Sequence, residues 1–275
     1  MSSAQRLLPL TWLLTLLVLS ACANTPNYLM PIGPRYAGVY APSTPADDGA
    51  FKALSWNIQY SRRIDDAIHF LQQTPELQHA DVLLLQEMDG EDVEAIARAL
   101  GMNYVYYPAS IHVRHDSDFG EAILSTWPLT DDAKLILPHY SPRNGQTRIA
   151  VRAWVQTPGL AVLVVNTHTE TSLMTPAQRQ DQVQAILADV EDVAFPVIVG
   201  GDFNTLTPWE RRALLKAMRD AGFAWATADA GSTIRETGAG VTMDYLFARG
   251  LEPVRSGVVS DGDVSDHLPL WAELR

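Results

Sequence analysis

Apolar positions along the chain recur with two periods, and these mark its elements. Residues 64, 67, 68 and 71 are apolar within 64–72, the spacing of one helix face. Residues 92–100 repeat that spacing, with Gly101 placed to cap the helix. Thr175-Pro176 and Thr207-Pro208 each put a hydroxyl at the N-cap and a proline at the first helical position. They predict helices running to about Val190 and Ala221. Strand runs lie at 51–58, 81–86, 104–107, 121–125, 149–155, 161–166, 195–199, 243–247 and 270–274. The run 81–86 (DVLLLQ) is continuously apolar, as a strand covered on both faces should be. Strands outnumber helices and several are adjacent hairpin partners, which excludes a strictly alternating Rossmann or TIM pattern. Two sheets with helices outside, an α/β sandwich, is the expected fold.

The amino terminus breaks this pattern. Residues 7–19 form an almost wholly apolar run of 13, preceded by Arg6. About 20 residues are needed to span a bilayer, so the run reads as the core of an export signal. Leu19-Ser20-Ala21-Cys22 resembles the lipobox of bacterial lipoproteins. That resemblance implies cleavage after residue 21, acylation of Cys22, and a stable membrane anchor. Ala23, where an aspartate would favour retention in the inner membrane, points to the outer membrane facing the periplasm. Residues 24–50 carry five prolines and little periodicity, so 22–50 is read as the lipidated cysteine and an extended tether. Residues 51–275 then form one domain behind a signal peptide at 1–21.

Acids, amides and histidines recur where the apolar runs end. ALSWNI carries Asn57, DVLLLQE ends in Glu87, and AVLVVNTHTE ends in Asn166, His168 and Glu170. FPVIVGGDFNT ends in Asp202 and Asn204, TMDYLFA carries Asp244, and VSDHLPLW sets Asp266 and His267 before the last strand. In stacked sheets such ends can converge on one cleft. Glu87, Asp202, Asp266 and Asn57 offer oxygen ligands, which suit Mg²⁺, Mn²⁺ or Ca²⁺. The single cysteine excludes an internal disulfide and a Cys-rich zinc site. There is no Gly-x-Ser-x-Gly elbow and no P-loop.

The ordered set WNIQ (56–59), LLQE (84–87), FGEAILS (119–125), VNTHTE (165–170), GGDFNT (200–205), MDYLF (243–247) and SDHLP (265–269) resembles the endonuclease/exonuclease/phosphatase superfamily. That is the fold of pancreatic-type DNase, abasic-site endonucleases, inositol-polyphosphate phosphatases and bacterial sphingomyelinases. The resemblance implies a four-layered α/β sandwich, two packed mixed β-sheets flanked by helices, and metal-dependent phosphoester hydrolysis. It implies that Glu87 is the principal metal carboxylate, that Asn57 helps hold the metal or its water, and that Asp266 is a further metal or water contact. Asp202 and Asn204 would orient the attacking water and the scissile phosphate. His168 would contact phosphate and pass it a proton, with Asn166 as a further substrate contact. His267 would lie against the phosphate with Asp244 as its carboxylate partner. Glu121 departs from the pattern, because many relatives carry asparagine after that glycine. It could add a metal ligand, bond His168 or repel an anion. Arg148, Arg179 and Gln182 lie where relatives carry Arg or Gln, the last two being read as structural. His112, Arg114 and His115 lie in a polar loop that could bind substrate but reads first as solvated, and Trp127, Trp154 and Trp271 read as core.

Composition narrows the substrate only a little. Twenty basic residues against 32 acidic give a net charge of −12, and only three of the basic residues are lysine. A broadly basic nucleic-acid surface is therefore absent, although a bound cation would add local positive charge. The expected activity is divalent-metal-dependent hydrolysis of phosphoesters at the bacterial envelope, diesters ahead of monoesters. A DNA nuclease and a phospholipid headgroup hydrolase are the enzymatic alternatives. A non-catalytic envelope module with the same fold is the other class, against which the retained Glu87, Asp202, Asn204, Asp244 and His267 argue.

Overall fold

Strands β2 (Phe51–Asn57) and β3 (Val82–Met88) run parallel, joined by α1 (Ile64–Gln73). Strands β8 (Ala161–His168) and β9 (Val197–Asp202) repeat this, joined by α3 (Pro176–Asp189). Each pair is the centre of one mixed sheet. The computed structural model describes residues 25–42, 49–112, 114–235, 240–260 and 263–275. The segment read as an export signal, the lipobox-like residues 19–22 and Cys22 among them, lies outside the described residues.

The first sheet has seven strands in the order β1-β4-β5-β3-β2-β13-β12. Here β1 is Tyr36–Gly38, β4 Asn103–His112, β5 Ser117–Ser125, β12 Pro253–Val258 and β13 Leu270–Leu274. The second has six in the order β10-β11-β9-β8-β7-β6. Its remaining strands are β6 (Leu129–Ile136), β7 (Ile149–Gln156), β10 (Ala224–Trp225) and β11 (Asp244–Arg249). Side chains at alternate positions meet between the sheets, among them Ala53, Leu84, Val164, Ile198 and Leu246. The opposite faces are covered by helices. Ala67 and Leu71 of α1, with Val93 and Ile96 of α2 (Gly90–Leu100), pack on Leu54, Trp56, Leu83 and Leu85. Val183 and Ile186 of α3, with Leu214 and Met218 of α4 (Pro208–Asp220), pack on Leu163, Val165, Val199 and Phe247. The four layers are helix, sheet, sheet, helix, as the sequence motifs imply. Deleting one such buried Leu to Ala costs about 2–5 kcal/mol.

Local chemistry sets the helix ends. Thr175 and Thr207 each form a full capping box, with Gln178 and Glu210 returning the bond. Gly101 closes α2 at φ 63°, a left-handed position that suits glycine. The strands that carry no clear sequence pattern are edges or flanks: β1, β6, β10 and β12. Trp127 is buried, whereas Trp154 and Trp271 are half-buried.

Part of the proline-rich segment lies against the domain. Thr25 N–H donates to the Asn144 carbonyl, Asn27 bridges Ser110, and β1 pairs with β4. Lys134, buried in β6, donates to the carbonyls of Tyr28 and Gly33 at 2.9 Å each. Arg35 forks onto Asp132 with two bonds of 2.6 Å. Residues 25–42 are thus docked along their length. Among the described residues no helix is long and apolar enough to cross a membrane.

Candidate active site

The column of side chains between the sheets is apolar over most of its length and turns polar at one end. Along β2 the inward series is Phe51, Ala53, Ser55, Asn57; along β8 it is Val162, Val164, Asn166, His168; along β9, Ile198, Gly200, Asp202. The period of two therefore brings Asn57, His168 and Asp202 to the carboxyl ends of the two parallel pairs. Gly201 (φ 131°) lies between two of these inward positions, where a Cβ would collide with the Thr167 backbone of the neighbouring strand. Only glycine lets β8 and β9 approach closely enough to set His168 beside Asp202.

Glu87 reaches the same place by a different route. Gln86 already faces inward, so simple alternation would turn Glu87 toward the helices. The pairing of β3 with β5 slips between Leu85 and Met88, and Glu87 takes φ 60°. This bulge swings the carboxylate into the cleft. Asn166 takes up the carbonyls there: its Nδ2 donates at 2.8 Å to Leu85 on β3 and to Ala122 on β5. Its Oδ1 accepts from Gln86 Nε2 at 2.7 Å. The amide expected to contact substrate is thus spent inside the sandwich, supporting the bulge that aims Glu87.

Asp202 sits at the centre. Its Oδ1 accepts from the Asn204 N–H at 2.8 Å and its Oδ2 from Asn57 Nδ2 at 3.2 Å. His168 Nε2 lies 3.4 Å from the same Oδ2 and 3.9 Å from Glu87 Oε1. Asn204, at φ 49°, donates its own side-chain amide to the Thr169 carbonyl at 2.9 Å, tying the two loops together. Behind His168 stands Arg148, 3.1 Å from Nδ1 and paired with Glu170 at 3.3 Å. Both residues stand out in the sequence, Glu170 at the end of VNTHTE and Arg148 as a position where relatives carry Arg or Gln, but their pairing does not. Arg179 and Gln182 are structural, as expected: Arg179 pairs with Glu210, and Gln182 accepts from the Glu170 N–H.

On the far side, His267 Nδ1 lies 2.8 Å from Asp244 Oδ2, and its Nε2 is 3.6 Å from Asp202. The His267 carbonyl accepts from Trp56 Nε1 at 3.0 Å, and Ser265 Oγ links the His267 N–H to the Asn57 carbonyl. The turn carrying the histidine is thereby pinned to the end of β2. Asp266 lies beside this group but is exposed, at the mouth rather than the floor. Asn57, Glu87, His168, Asp202, Asn204, Asp244 and His267 therefore share one cleft, and Asn166 lies beneath it.

The electrostatics are those of crowded, dry carboxylates. Burial pushes Asp202 up to about 7, and Asp244 and Glu87 add to this against the opposing pull of His267. Burial likewise raises Glu87, despite Arg148 and His267. Glu121 on β5 is raised well above the carboxylate range by burial, and its Oε2 has no hydrogen-bond partner among the described residues. Burial, Arg148 and His267 hold His168 well below its usual value, so it is a neutral ring rather than the cationic donor that a phosphate contact would favour. Burial alone would lower His267 too, but Asp244 and Asp202 outweigh it and carry it to about 10. One ligand atom from each of Asp202, Asp244 and His267 lies within 4.8 Å of the others. Buried oxygens short of positive partners, with an orphaned carboxylate oxygen among them, fit a hard divalent cation.

The comparisons agree with this geometry. The model of the Endonuclease/Exonuclease/phosphatase family matches residues 54–267. A UPF0294 protein of Vibrio vulnificus (strain YJ016) is 30% identical over 112 residues, covering 41% of this chain and 39% of that protein. The chain thus spans about two fifths of the length of the curated relatives it matches. An endonuclease/exonuclease/phosphatase family protein from Leptotrichia buccalis C-1013-b superposes with a TM-score of 0.66 at 17% identity, covering 82% of this chain and 99% of that one. ANGEL2, described as a 2',3'-cyclic phosphatase and bound to adenosine-2',3'-vanadate, gives 0.65 at 16% identity over 88% of this chain and 98% of its own. At these identities the structural likeness speaks for the fold, while the family match reaches from β2 to His267 itself. The chain belongs to the endonuclease/exonuclease/phosphatase family, whose members are hydrolases of phosphoester bonds.

Proposed function

We propose that this chain is a divalent-cation-dependent hydrolase that cleaves phosphodiesters by in-line attack of water. The observation that carries the reading is the placement of buried Asp202 3.6 Å from buried His267, whose other ring nitrogen lies 2.8 Å from Asp244. Asp202 is fixed by two hydrogen bonds, and a value near neutrality suits a general base. It takes the proton of the attacking water as the new bond to phosphorus forms and the opposite P–O bond breaks, the leaving oxygen departing in line and taking a proton from solvent. His267 gives its Nδ1–H to Asp244, which leaves Nε2–H to donate to a phosphate oxygen as charge develops there. Glu87 and Asn57, with Asp266 at the mouth, would hold a divalent cation, which would supply positive charge to the phosphate oxygens. Asn204 is placed by its bond to Thr169 to bound the phosphate pocket. Mg²⁺ or Mn²⁺ suits these oxygen ligands, with Ca²⁺ as the larger alternative.

The lipobox at 19–22 supports attachment through acylated Cys22, at the outer membrane facing the periplasm. The acidic surface favours small phosphoesters over duplex DNA. The test is cleavage of bis-p-nitrophenyl phosphate with Mg²⁺ or Mn²⁺, followed by a panel of plasmid DNA, RNA, phospholipid and inositol phosphates. Activity should vanish with EDTA and in Asp202→Ala and His267→Ala. Wild-type rates in Asp202→Ala would remove the mechanism. Nicking of plasmid with no other turnover would make the chain a nuclease. No turnover of any ester would leave a binding module.

A further inference from the structure

A ladder of aromatic rings climbs from the cleft floor to its rim. Phe119 lies 5.9 Å from His168, with the Arg148 guanidinium 5.3 Å over its ring. Tyr60 and His112 follow, 5.8 and 5.4 Å from Phe119. Tyr60, His112 and His115 then form a three-ring cluster with centroids 4.5–4.8 Å apart, Tyr60 and His112 each stacked on His115 at 29° and 26° and tilted 42° to each other. His115 is exposed, so the cluster reaches solvent at that ring.

Two further observations set this cluster apart from ordinary core packing. Tyr60 stands three residues after Asn57 and is the middle of three consecutive non-glycine residues in the left-handed region, with φ of 35°, 59° and 55° at Gln59, Tyr60 and Ser61. Such backbone is costly and survives where surroundings impose it. His112 is 8% exposed, and its Nδ1 has no hydrogen-bond partner among the described residues. A buried ring nitrogen without a partner is uncommon in a settled core and asks for an explanation. Burial, with His115 and Arg114 adding, lowers His112 to about 4, so the ring is neutral.

Resting on the phosphodiesterase reading above, we propose that Tyr60, His112 and His115 form a stacking subsite for a nucleobase joined to the scissile phosphate. Aromatic stacking is worth about 1–3 kcal/mol per base and tolerates any base. Phe119 touches His168 on one side and Tyr60 and His112 on the other, so the cluster lies one ring away from the phosphate site. The arginines at 114 and 148 disfavour a quaternary ammonium, which would otherwise suit an aromatic box. A single-base subsite on an acidic chain fits short, unpaired nucleotides rather than a polymer tracked along its backbone.

The test separates base from phosphate. Equilibrium binding of AMP, ribose 5-phosphate and phosphocholine to the full chain is measured by calorimetry. AMP should bind about 5- to 100-fold more tightly than ribose 5-phosphate. His115→Ala, an exposed change, and Tyr60→Leu should erase that advantage while ribose 5-phosphate binding stays within about twofold. In turnover, both changes should lower kcat/KM for the p-nitrophenyl ester of thymidine 5'-phosphate but not for methyl p-nitrophenyl phosphate. Equal binding of AMP and ribose 5-phosphate, tighter binding of phosphocholine, or equal losses on both esters overturns the subsite. Cleavage of both esters without base preference defeats the subsite and keeps the hydrolase. A base preference without cleavage does the reverse.

Discussion

Asp244 Oδ2 lies 2.8 Å from His267 Nδ1, a bond that joins the end of one sheet to the turn entering the last strand of the other. It sets both the orientation and the charge of the histidine. Asp244→Asn keeps the shape and removes the charge. Losing that charge lets burial pull His267 back down from about 10. The alkaline limb of kcat/KM against pH should therefore move to lower pH, and kcat should fall by about 10²-fold or more. The acid limb, set by Asp202 near 7, should move less. An unchanged alkaline limb would take His267 out of the rate law.

The same pair links pH to stability. The raised value of His267 means that its charge favours the fold. That contribution is complete below about 6.5 and is lost as pH rises toward about 10. Asp202 is raised as well, so its contribution also falls as pH rises, over a lower window. Between its ordinary 3.8 and about 7 the folded chain holds a proton that the unfolded chain has released, so stability falls as pH rises through that window. Asp202→Asn should then abolish turnover while melting, at neutral pH, no lower than the wild type. A clear loss in melting temperature would show that the carboxylate stabilises the fold.

Glu121 is a buried acid with an unpartnered oxygen, so Glu121→Gln removes a charge without removing volume. A stabilisation of about 1 kcal/mol or more, or ~2–4 °C in Tm, is expected at neutral pH. Destabilisation together with lost turnover would show that Glu121 ligates the cation.

Cation binding has a readout apart from turnover. Mg²⁺ or Mn²⁺ at about 100 times Kd should stabilise the chain by about 2.7 kcal/mol. Glu87→Gln should abolish that shift and leave the cation-free melting temperature close to wild type. A shift that survives in Glu87→Gln would move the cation to the Asp202–Asp244–His267 side.

Asn166 holds two carbonyls at the foot of the bulge. Asn166→Ala should cost about 2–4 kcal/mol by orphaning both. It should lower kcat by misaiming Glu87, and the variant should need more cation for half-maximal rate. Full activity with weakened substrate binding alone would return Asn166 to the list of substrate contacts.

The layers of the fold were legible because strand ends announce themselves as acids and amides after apolar runs, and because threonine-proline caps are unambiguous. Asn57, His168 and Asp202 follow directly from the period of two. Glu87 was legible as a residue but not as a direction, since a bulge with a left-handed glutamate leaves no mark in a hydropathy pattern. Asn166 sits on the same alternation as His168, yet its bonds run across to the other sheet, which no one-dimensional pattern records. Arg148 and Tyr60 flank elements whose period says nothing of where a long side chain ends. His112 and His115 look solvated in sequence because the rings they meet lie more than fifty residues away at Tyr60. Edge strands such as β1 and β12 carry mixed exposure and so no clean alternation.

The docked segment 25–42 changes what an acylated Cys22 would do. Thr25 is hydrogen-bonded to Asn144 and stands three residues after Cys22, a separation of ~10 Å at most. Its attachment lies beside Ser110 and Asn144, two residues from His112 and four from Arg148. Such an enzyme would work pressed close to the bilayer, with the rim of its cleft near the lipid headgroups, and would sample only what passes along that surface.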